Sequence, residues 1–133
     1  MRPEILKNIV IAENTNRVNL IGMRILDEEI LDIINSIKEK EINLVSIALD
    51  KNEIGDEGAI ILGQHLTQFK TLTQLSIQFN RIGKEGAIML FGLTQVLPDL
   101  DIFFHGNQIT NVSEMEDIKK IAIERTGGMH RRF

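Results

Sequence analysis

The apolar and polar positions of this chain follow two periods that alternate along the sequence. In the segment 44–50, apolar Ile47 and Leu49 share one side of an extended chain, while small or polar residues occupy the other. This alternation predicts a strand with one buried face. The apolar positions that follow are Ala59, Leu62, Leu66 and Phe69. Their spacing of three and four residues predicts an amphipathic helix, so the segment as a whole indicates a strand, a turn and a helix.

This unit occurs twice with a period of 28 residues. Residues 44–54 are LVSIALDKNEI, residues 72–82 are LTQLSIQFNRI, and each segment continues directly into Gly-x-x-Gly-Ala. The equivalent positions, aligned without a gap, are Leu44 and Leu72, Ile47 and Leu75, Leu49 and Ile77, Asn52 and Asn80, Ile54 and Ile82. A fixed period of this length is typical of a solenoid, whose units bury their apolar faces only against one another.

Two weaker copies flank the central pair. The later copy lies 27 residues on and consists of Ile102, Phe104, Asn107 and Ile109. The earlier copy consists of Val18, Leu20, Met23 and Ile25, followed by Ile30, Ile33 and Ile37. In that copy Met23 takes the asparagine position, and Leu26 and Glu29 replace the two glycines. The sequence therefore predicts about four strand-turn-helix units.

The pattern LxxLxLxxN with a trailing GxxGA resembles the leucine-rich repeats of the ribonuclease-inhibitor type over residues 16–125. The resemblance implies an α/β fold, a right-handed leucine-rich-repeat solenoid with a parallel inner sheet and outer helices. It also implies protein binding, which is what most such proteins do. We expect a single domain over residues 1–133, with an N-terminal cap at 1–15, repeats at 16–125 and a flexible tail at 126–133.

Both ends of a solenoid need cover, because the terminal units expose apolar faces. Residues 3–12 predict a capping helix that buries Ile5, Leu6, Ile9 and Val10 on one face. At the other end we expect a helix that begins at Ser113, with Glu116 completing a capping box, runs through Arg125 and stops at Thr126-Gly127-Gly128. The last strand, 102–105, would be an exposed edge.

The repeated glycines and asparagines have structural interpretations. Gly55 and Gly83 follow the strands, where we expect turns with positive φ, and Gly58 and Gly86 would allow close approach of the helices. The repeated asparagines are Asn52, Asn80 and Asn107. An asparagine amide both donates and accepts, so it can satisfy the backbone of its own turn and of the next one. The resemblance implies that these asparagines form a buried ladder.

Composition limits the classes of partner. The 133 residues carry a net charge of -4 and 43% apolar residues, with a pI near 5.4. This balance argues against broad binding to nucleic acid or anionic membranes, which depends on lysine and arginine. No cysteine is present, and neither a secretory signal of the usual kind nor a membrane span is evident. We expect a soluble protein, cytoplasmic by default.

Provenance is a further interpretation. The chain contains 22 isoleucines and neither tryptophan nor tyrosine, a composition that suggests an AT-rich genome. Short repeat proteins of this type resemble bacterial effectors that are delivered into eukaryotic cells. Delivery into a host cell is therefore the alternative localisation, and the partner would then be a host protein.

Candidate chemistry is sparse. The three histidines, His65, His105 and His130, do not have the close spacing of a metal site. The segment that begins at Asp50 resembles the start of a calcium loop, but Ile61 stands where the final acidic ligand belongs. The acidic residues that begin at Asp27 and Asp56 stand at helix starts, where they favour their own helix dipole. We expect no catalytic residue, no cofactor and no metal, and hence no enzyme.

The strand phase predicts the binding surface instead. The residues that project from the inner sheet face are Asn19, Ile21, Ser46, Ala48, Asp50, Gln74, Ser76, Gln78, Asp101, Phe103 and His105, with Phe79 at a strand end. The leading hypothesis is a non-enzymatic module that binds a protein partner on this concave sheet face. We expect a monomer or a weak homodimer. One alternative function is a structural or targeting domain that self-associates through its exposed end strand. The other is a regulator of a GTPase or other enzyme.

Overall fold

The computed structural model describes residues 1–130, with side chains as far as Arg125. Four short strands form one parallel sheet in the order of the chain, and five helices accompany them. The strands are β1 (Arg17–Asn19), β2 (Ser46–Ala48), β3 (Gln74–Ser76) and β4 (Asp101–Phe103). The helices are α1 (Pro3–Thr15), α2 (Ile30–Glu39), α3 (Asp56–His65), α4 (Lys84–Val96) and α5 (Val112–His130). This architecture confirms the predicted α/β solenoid fold.

The repeats stack in the register that the sequence predicts. Ile47 of β2 lies opposite Val18 of β1 and Leu75 of β3, and Leu75 lies opposite Ile102 of β4. Beyond the strands the stack continues through three buried residues, Leu49, Ile77 and Phe104. The core is therefore a continuous column that runs through all four units.

The buried asparagine ladder is confirmed, although its direction differs from the expectation. Asn80 Oδ1 accepts a hydrogen bond from the backbone N–H of Ile54 at 3.0 Å, and its Nδ2 donates to the carbonyl of Leu49 at 2.9 Å. Asn107 accepts in the same way from the N–H of Ile82 at 3.0 Å. Asn80 and Asn107 thus complete the turn of the repeat that precedes each of them, because successive turns are stacked on one another.

The expected positive φ at Gly55 and Gly83 is wrong. Their φ angles are -107° and -99°, which any residue can adopt. The left-handed residue of each repeat comes earlier, directly before the asparagine position. These residues are Gly22 (φ 67°), Lys51 (φ 58°), Phe79 (φ 55°) and Gly106 (φ 82°). The chain therefore leaves the strand at this position in every repeat, whether or not it is a glycine.

Gly58 and Gly86 make room for carboxylates as well as for the expected helix approach, and at both positions a carboxylate oxygen is the nearest atom. A Cβ at Gly86 would lie 2.6 Å from Asp56 Oδ1 of the preceding repeat and 2.9 Å from the Cβ of Ala59 in α3. Gly63 allows the backbones of α3 and α4 to approach closely, since a Cβ there would lie 2.7 Å from the carbonyl oxygen of Met89. The acidic residue needs this space because it binds the start of the next helix.

At the N-terminal end, α1 packs against the first repeat, and the face that it buries differs from the predicted one. Ile5, Ile9 and Ala12 are buried, whereas Leu6 and Val10 are exposed, because the buried stripe follows spacings of four and three residues. Arg2 ties the helix to the repeat through a 2.9 Å ion pair with Glu29. This hydrogen bond raises the pKa of Arg2 further above its usual range.

At the C-terminal end, α5 differs from the prediction at both of its ends. Asn111 caps it, since its Oδ1 accepts from the N–H of Glu114 at 2.7 Å, so Ser113 is already helical. The helix continues to His130, so the expected stop at residues 126–128 is wrong: glycine costs a helix only about 1 kcal/mol per residue and does not by itself end one. The rest of the predicted tail, 131–133, lies outside the described residues.

Candidate functional site

The candidate site is the sheet face opposite the core, which we call the open face. It consists of three rows of side chains that cross the four strands, the last row lying just beyond the strand ends. The rows are Arg17, Ser46, Gln74 and Asp101, then Asn19, Ala48, Ser76 and Phe103, then Ile21, Asp50, Gln78 and His105. Backbone hydrogen bonds extend the parallel ladder to the third row, as between the N–H of Lys51 and the carbonyl of Gln78 at 2.9 Å.

The open face is low in the middle and prominent at its two ends. Ala48 and Ser76 are small and only half-buried, so nothing bulky stands over the central strands. Ile21 and Phe103 are exposed at opposite ends. Phe103 leaves 45% of its surface in solvent, so a partner can reach both the sheet and an aromatic side chain beside it.

Asp50 is the charged centre of this face, and its carboxylate is held in place. Its Oδ1 accepts from the hydroxyl of Ser76 and from the N–H of Gln78, each at 2.7 Å. Its Oδ2 accepts from the same hydroxyl at 2.9 Å. Hydrogen bonds to a charged acceptor are stronger than neutral ones, so the carboxylate is pre-organised while its free lone pairs remain open to a cationic donor.

Phe79 borders the open face on a strained turn. It adopts φ 55°, a conformation that is an outlier for a bulky residue, yet 49% of its surface is exposed. The ring covers Gly106, where a Cβ would overlap it, and meets the ring of His105 edge-on at a centroid distance of 5.7 Å. Such strain persists where the surroundings impose it, and it concentrates at functional sites.

The structure brings all of the predicted site residues together on or beside one surface. Arg17 also belongs to this surface but was not among the predicted residues. It is exposed in the first row, with Nη1 3.5 Å from Oε1 of Gln74. The sequence could have identified Arg17 as a member of this face, because it precedes Asn19 by two residues and alternate residues of a strand share one face. Arg17 adds a positive charge at the end of the face opposite Asp101.

The described residues offer no metal site of their own. Among the side chains that the structure describes, those of residues 1–125, no three histidine, aspartate or glutamate residues gather closely enough to hold a metal ion. Across the same part of the chain, no helix is both long and apolar enough to cross a membrane.

Comparison with known proteins gives a family match and several structural likenesses. The leucine-rich repeat model matches residues 42–63 and 70–91, which are the two central repeats. No curated protein is significantly similar in sequence. The structure of leiomodin-1 actin-binding site 2 is similar with a TM-score of 0.71 at 20% identity, over 89% of this chain and 70% of that chain.

The tropomodulin C-terminal domain of Caenorhabditis elegans is also similar. Its TM-score is 0.59 at 14% identity, over 95% of this chain and 99% of that chain. At these identities both likenesses concern the fold.

Proposed function

We propose that this leucine-rich-repeat protein is a non-enzymatic module that holds a protein partner on its open face. The single observation that supports the proposal most is the pre-organised carboxylate of Asp50 in the middle of an accessible sheet. Exposed Phe103 and Phe79 lie to one side of it, at β4 and at the end of β3. Aromatic side chains beside a polar centre are the usual anchors of protein interfaces.

The chemistry of the face defines what the partner must present. A lysine or arginine would meet the carboxylate of Asp50, replacing solvent with a charge-assisted hydrogen bond. Apolar side chains would cover Phe103 and the ring of Phe79. A partner that presents a basic residue with apolar groups to one side of it therefore matches the open face.

Several finer proposals accompany this function. The 28-residue period and the trailing GxxGA support the ribonuclease-inhibitor type of repeat. The isoleucine-rich composition supports an origin in a bacterium that delivers the protein into a host cell, where the partner would be a host protein.

Actin is the first partner to test, because one similar fold is named as an actin-binding site. The protein is immobilised and exposed to purified actin and, separately, to lysate from a candidate host. Ser76→Arg places a long cation over the centre of the open face, and Phe103→Ala removes its aromatic end. We expect both changes to abolish capture of whichever partner the unaltered protein retains.

The matched control is Gln64→Arg. It introduces the same charge on the exposed side of α3, away from the sheet, and should leave capture unchanged. Capture that survives Ser76→Arg but fails with Gln64→Arg would place the binding surface on the helices and contradict the proposal.

A further inference from the structure

Asn107 is the last asparagine of the ladder, and among the described residues no further asparagine bonds to its turn. The carbonyl of Leu49 accepts from the side-chain amides of both Asn52 and Asn80, each at 2.9 Å. The equivalent carbonyl of Phe104 accepts, among the described residues, from Asn107 alone at 2.8 Å. The end of the solenoid therefore retains acceptor capacity that the inner repeats use for the next coil.

Among the described residues, no strand pairs with the outer edge of β4. The backbone groups of Asp101, Phe103 and His105 bond to the third repeat at 2.9, 2.8 and 2.9 Å. Since successive residues of a strand direct their backbone groups to opposite sides, those of Ile102 and Phe104 point to the free edge. An exposed edge of this kind is a template for a further strand.

Helix α5 stands beside this edge and leaves two grooves along it. One, of about 400 Å³, is lined in part by His105, Val112 and Glu116. The other, of about 310 Å³, is lined in part by Ile102 and Ile123. Lys119 lines both. Two apolar residues of α5 are conspicuously exposed, Val112 at 74% and Ile123 at 52%.

We propose that a second copy of this chain covers this end, forming a two-fold symmetric dimer through β4 and α5. In such an interface every contact between residues i and j occurs twice, so the surface must be complementary to itself. The proposal goes beyond partner binding on the open face, because it concerns the edge of the sheet and the last helix.

Strand β4 is complementary to itself in an antiparallel pair. An antiparallel pair centred on Phe103 places Phe103 against Phe103 of the second copy and Ile102 against Phe104 of the second copy. Asp101 then faces His105 of the second copy, so a carboxylate meets an imidazole. The backbone groups of Ile102 and Phe104 would form the new hydrogen bonds, and these are the groups that point to the free edge.

Helix α5 is also complementary to itself, independently of the strand. Val112, Glu116, Lys119 and Ile123 follow helical spacing on one stripe. Antiparallel packing against the same stripe places Val112 on Ile123 of the second copy and Glu116 on Lys119 of the second copy. Two apolar contacts and two opposite-charge pairs result, with no like charges opposed.

A single two-fold axis can relate both the paired β4 strands and the paired α5 helices. Ile102 shares its groove with Ile123, whereas His105 shares the other groove with Val112. The strand and the helix stripe therefore run in opposite directions beside each other. Lys119, near the middle of the stripe, lines both grooves, so a two-fold axis near Phe103 would also pass near the middle of the stripe.

Charge reversal on α5 tests the dimer without touching the open face. Sedimentation of the unaltered protein should reach twice the chain mass of 15.1 kDa at high concentration. Glu116→Lys and Lys119→Glu, both at exposed positions, should each be monomeric under the same conditions, because each opposes like charges twice. An equimolar mixture of the two variants should recover the dimer, since every pair in the mixed dimer is again opposite in charge.

Cross-linking tests the strand register. The chain has no cysteine, so Phe103→Cys introduces a single thiol at the two-fold axis. Residues opposed in this kind of antiparallel pair have Cα atoms about 4.5 Å apart, within the range that a disulfide spans. Mild oxidation should link Phe103→Cys into dimers, whereas Ile21→Cys, at the other end of the sheet, should stay monomeric.

A single 15.1 kDa species at every concentration up to about 1 mM, the range of very weak association, would overturn the proposal. Mixed charge variants that remain monomeric would also overturn it, as would cross-linking of Ile21→Cys as readily as Phe103→Cys. Partner capture with the α5 variants is measured in parallel. Capture that persists while dimerisation fails separates this inference from the proposed function.

Discussion

The carboxylate of Asp56 caps the helix of the following repeat at Gly83: its Oδ1 accepts from the N–H of Gly83 at 2.7 Å. The same oxygen accepts from the N–H of Gly86 at 3.1 Å. One repeat earlier, Asp27 accepts from the N–H of Gly55 at 2.7 Å. Neither α3 nor α4 receives a side-chain cap from its own N-cap residue. The starts of α3 and α4 are therefore completed by the preceding coil, which couples neighbouring repeats on the helix side as the asparagines do on the strand side.

Removal of this cap should weaken the fold. We expect Asp56→Ala to lower the free energy of unfolding by about 1 kcal/mol, the usual cost of a lost N-cap. Lys84 occupies the equivalent position in the next repeat and is exposed, so Lys84→Ala should leave stability within about 0.5 kcal/mol of the unaltered protein. Urea unfolding of the two variants measures both values. Equal midpoints would show that the aspartate contributes nothing beyond surface charge.

Gly86→Ala should destabilise the fold although alanine favours helices. The substitution gains about 1 kcal/mol of helix propensity, whereas overpacking of a filled site costs about 1 to 3 kcal/mol. The new Cβ would lie 2.6 Å from Asp56 Oδ1 and 2.9 Å from the Cβ of Ala59. The carboxylate cannot withdraw without losing its hydrogen bonds. Chemical denaturation of this variant measures the net change in the free energy of unfolding.

A double-mutant cycle tests this explanation of the glycine. In the Asp56→Ala background the contact with the carboxylate is gone, so Gly86→Ala should cost less there than in the unaltered protein. Identical costs in both backgrounds would show that the glycine serves its other neighbours and not the carboxylate.

The repeats were predictable because the same residue types recur at a fixed spacing. The alignment of Asn52 with Asn80 predicted the buried ladder, and strand alternation predicted the open face. The aspartate caps were missed because Asp27 and Asp56 also suit the start of their own helices, and local sequence does not reveal a hydrogen bond to the next coil.

The left-handed position was missed for a different reason. It is a glycine at Gly22 and Gly106 but Lys51 and Phe79 in the central repeats, so residue type carries no common signal there. The geometry of stacking imposes the conformation, and the side chain tolerates it. The same limitation applies to the start of α5, where the asparagine at 111 and the serine at 113 are both good caps and only the packing selects the first.

The two strained turns should respond differently to glycine. Left-handed backbone costs an ordinary residue about 1 to 2 kcal/mol, and the Lys51 side chain is exposed, so Lys51→Gly should raise the thermal unfolding midpoint. Phe79→Gly relieves the same strain but uncovers Gly106 and loses the edge contact with His105. We expect it to gain less than Lys51→Gly. A larger gain at Phe79 would indicate that its ring stabilises nothing in the free protein.

Loss of a ladder asparagine should lower the free energy of unfolding more than loss of a helix cap. Asn80→Ala leaves the buried N–H of Ile54 and the carbonyl of Leu49 without their inter-repeat partner. The expected loss is about 1 to 3 kcal/mol in the free energy of unfolding, the cost of stranding buried polar groups. Gln74→Ala, which truncates an exposed side chain of the same class on the open face, is the control and should be close to neutral in chemical denaturation.

Amide hydrogen exchange of Ile54 tests most directly whether each coil is completed by its neighbour. The N–H of Ile54 binds Asn80 and that of Ile82 binds Asn107, each at 3.0 Å. Both should exchange slowly in the unaltered protein. In Asn80→Ala, Ile54 should lose protection while Ile82 keeps more of it. Equal protection of Ile54 in both proteins would contradict the claim that the next coil completes this turn.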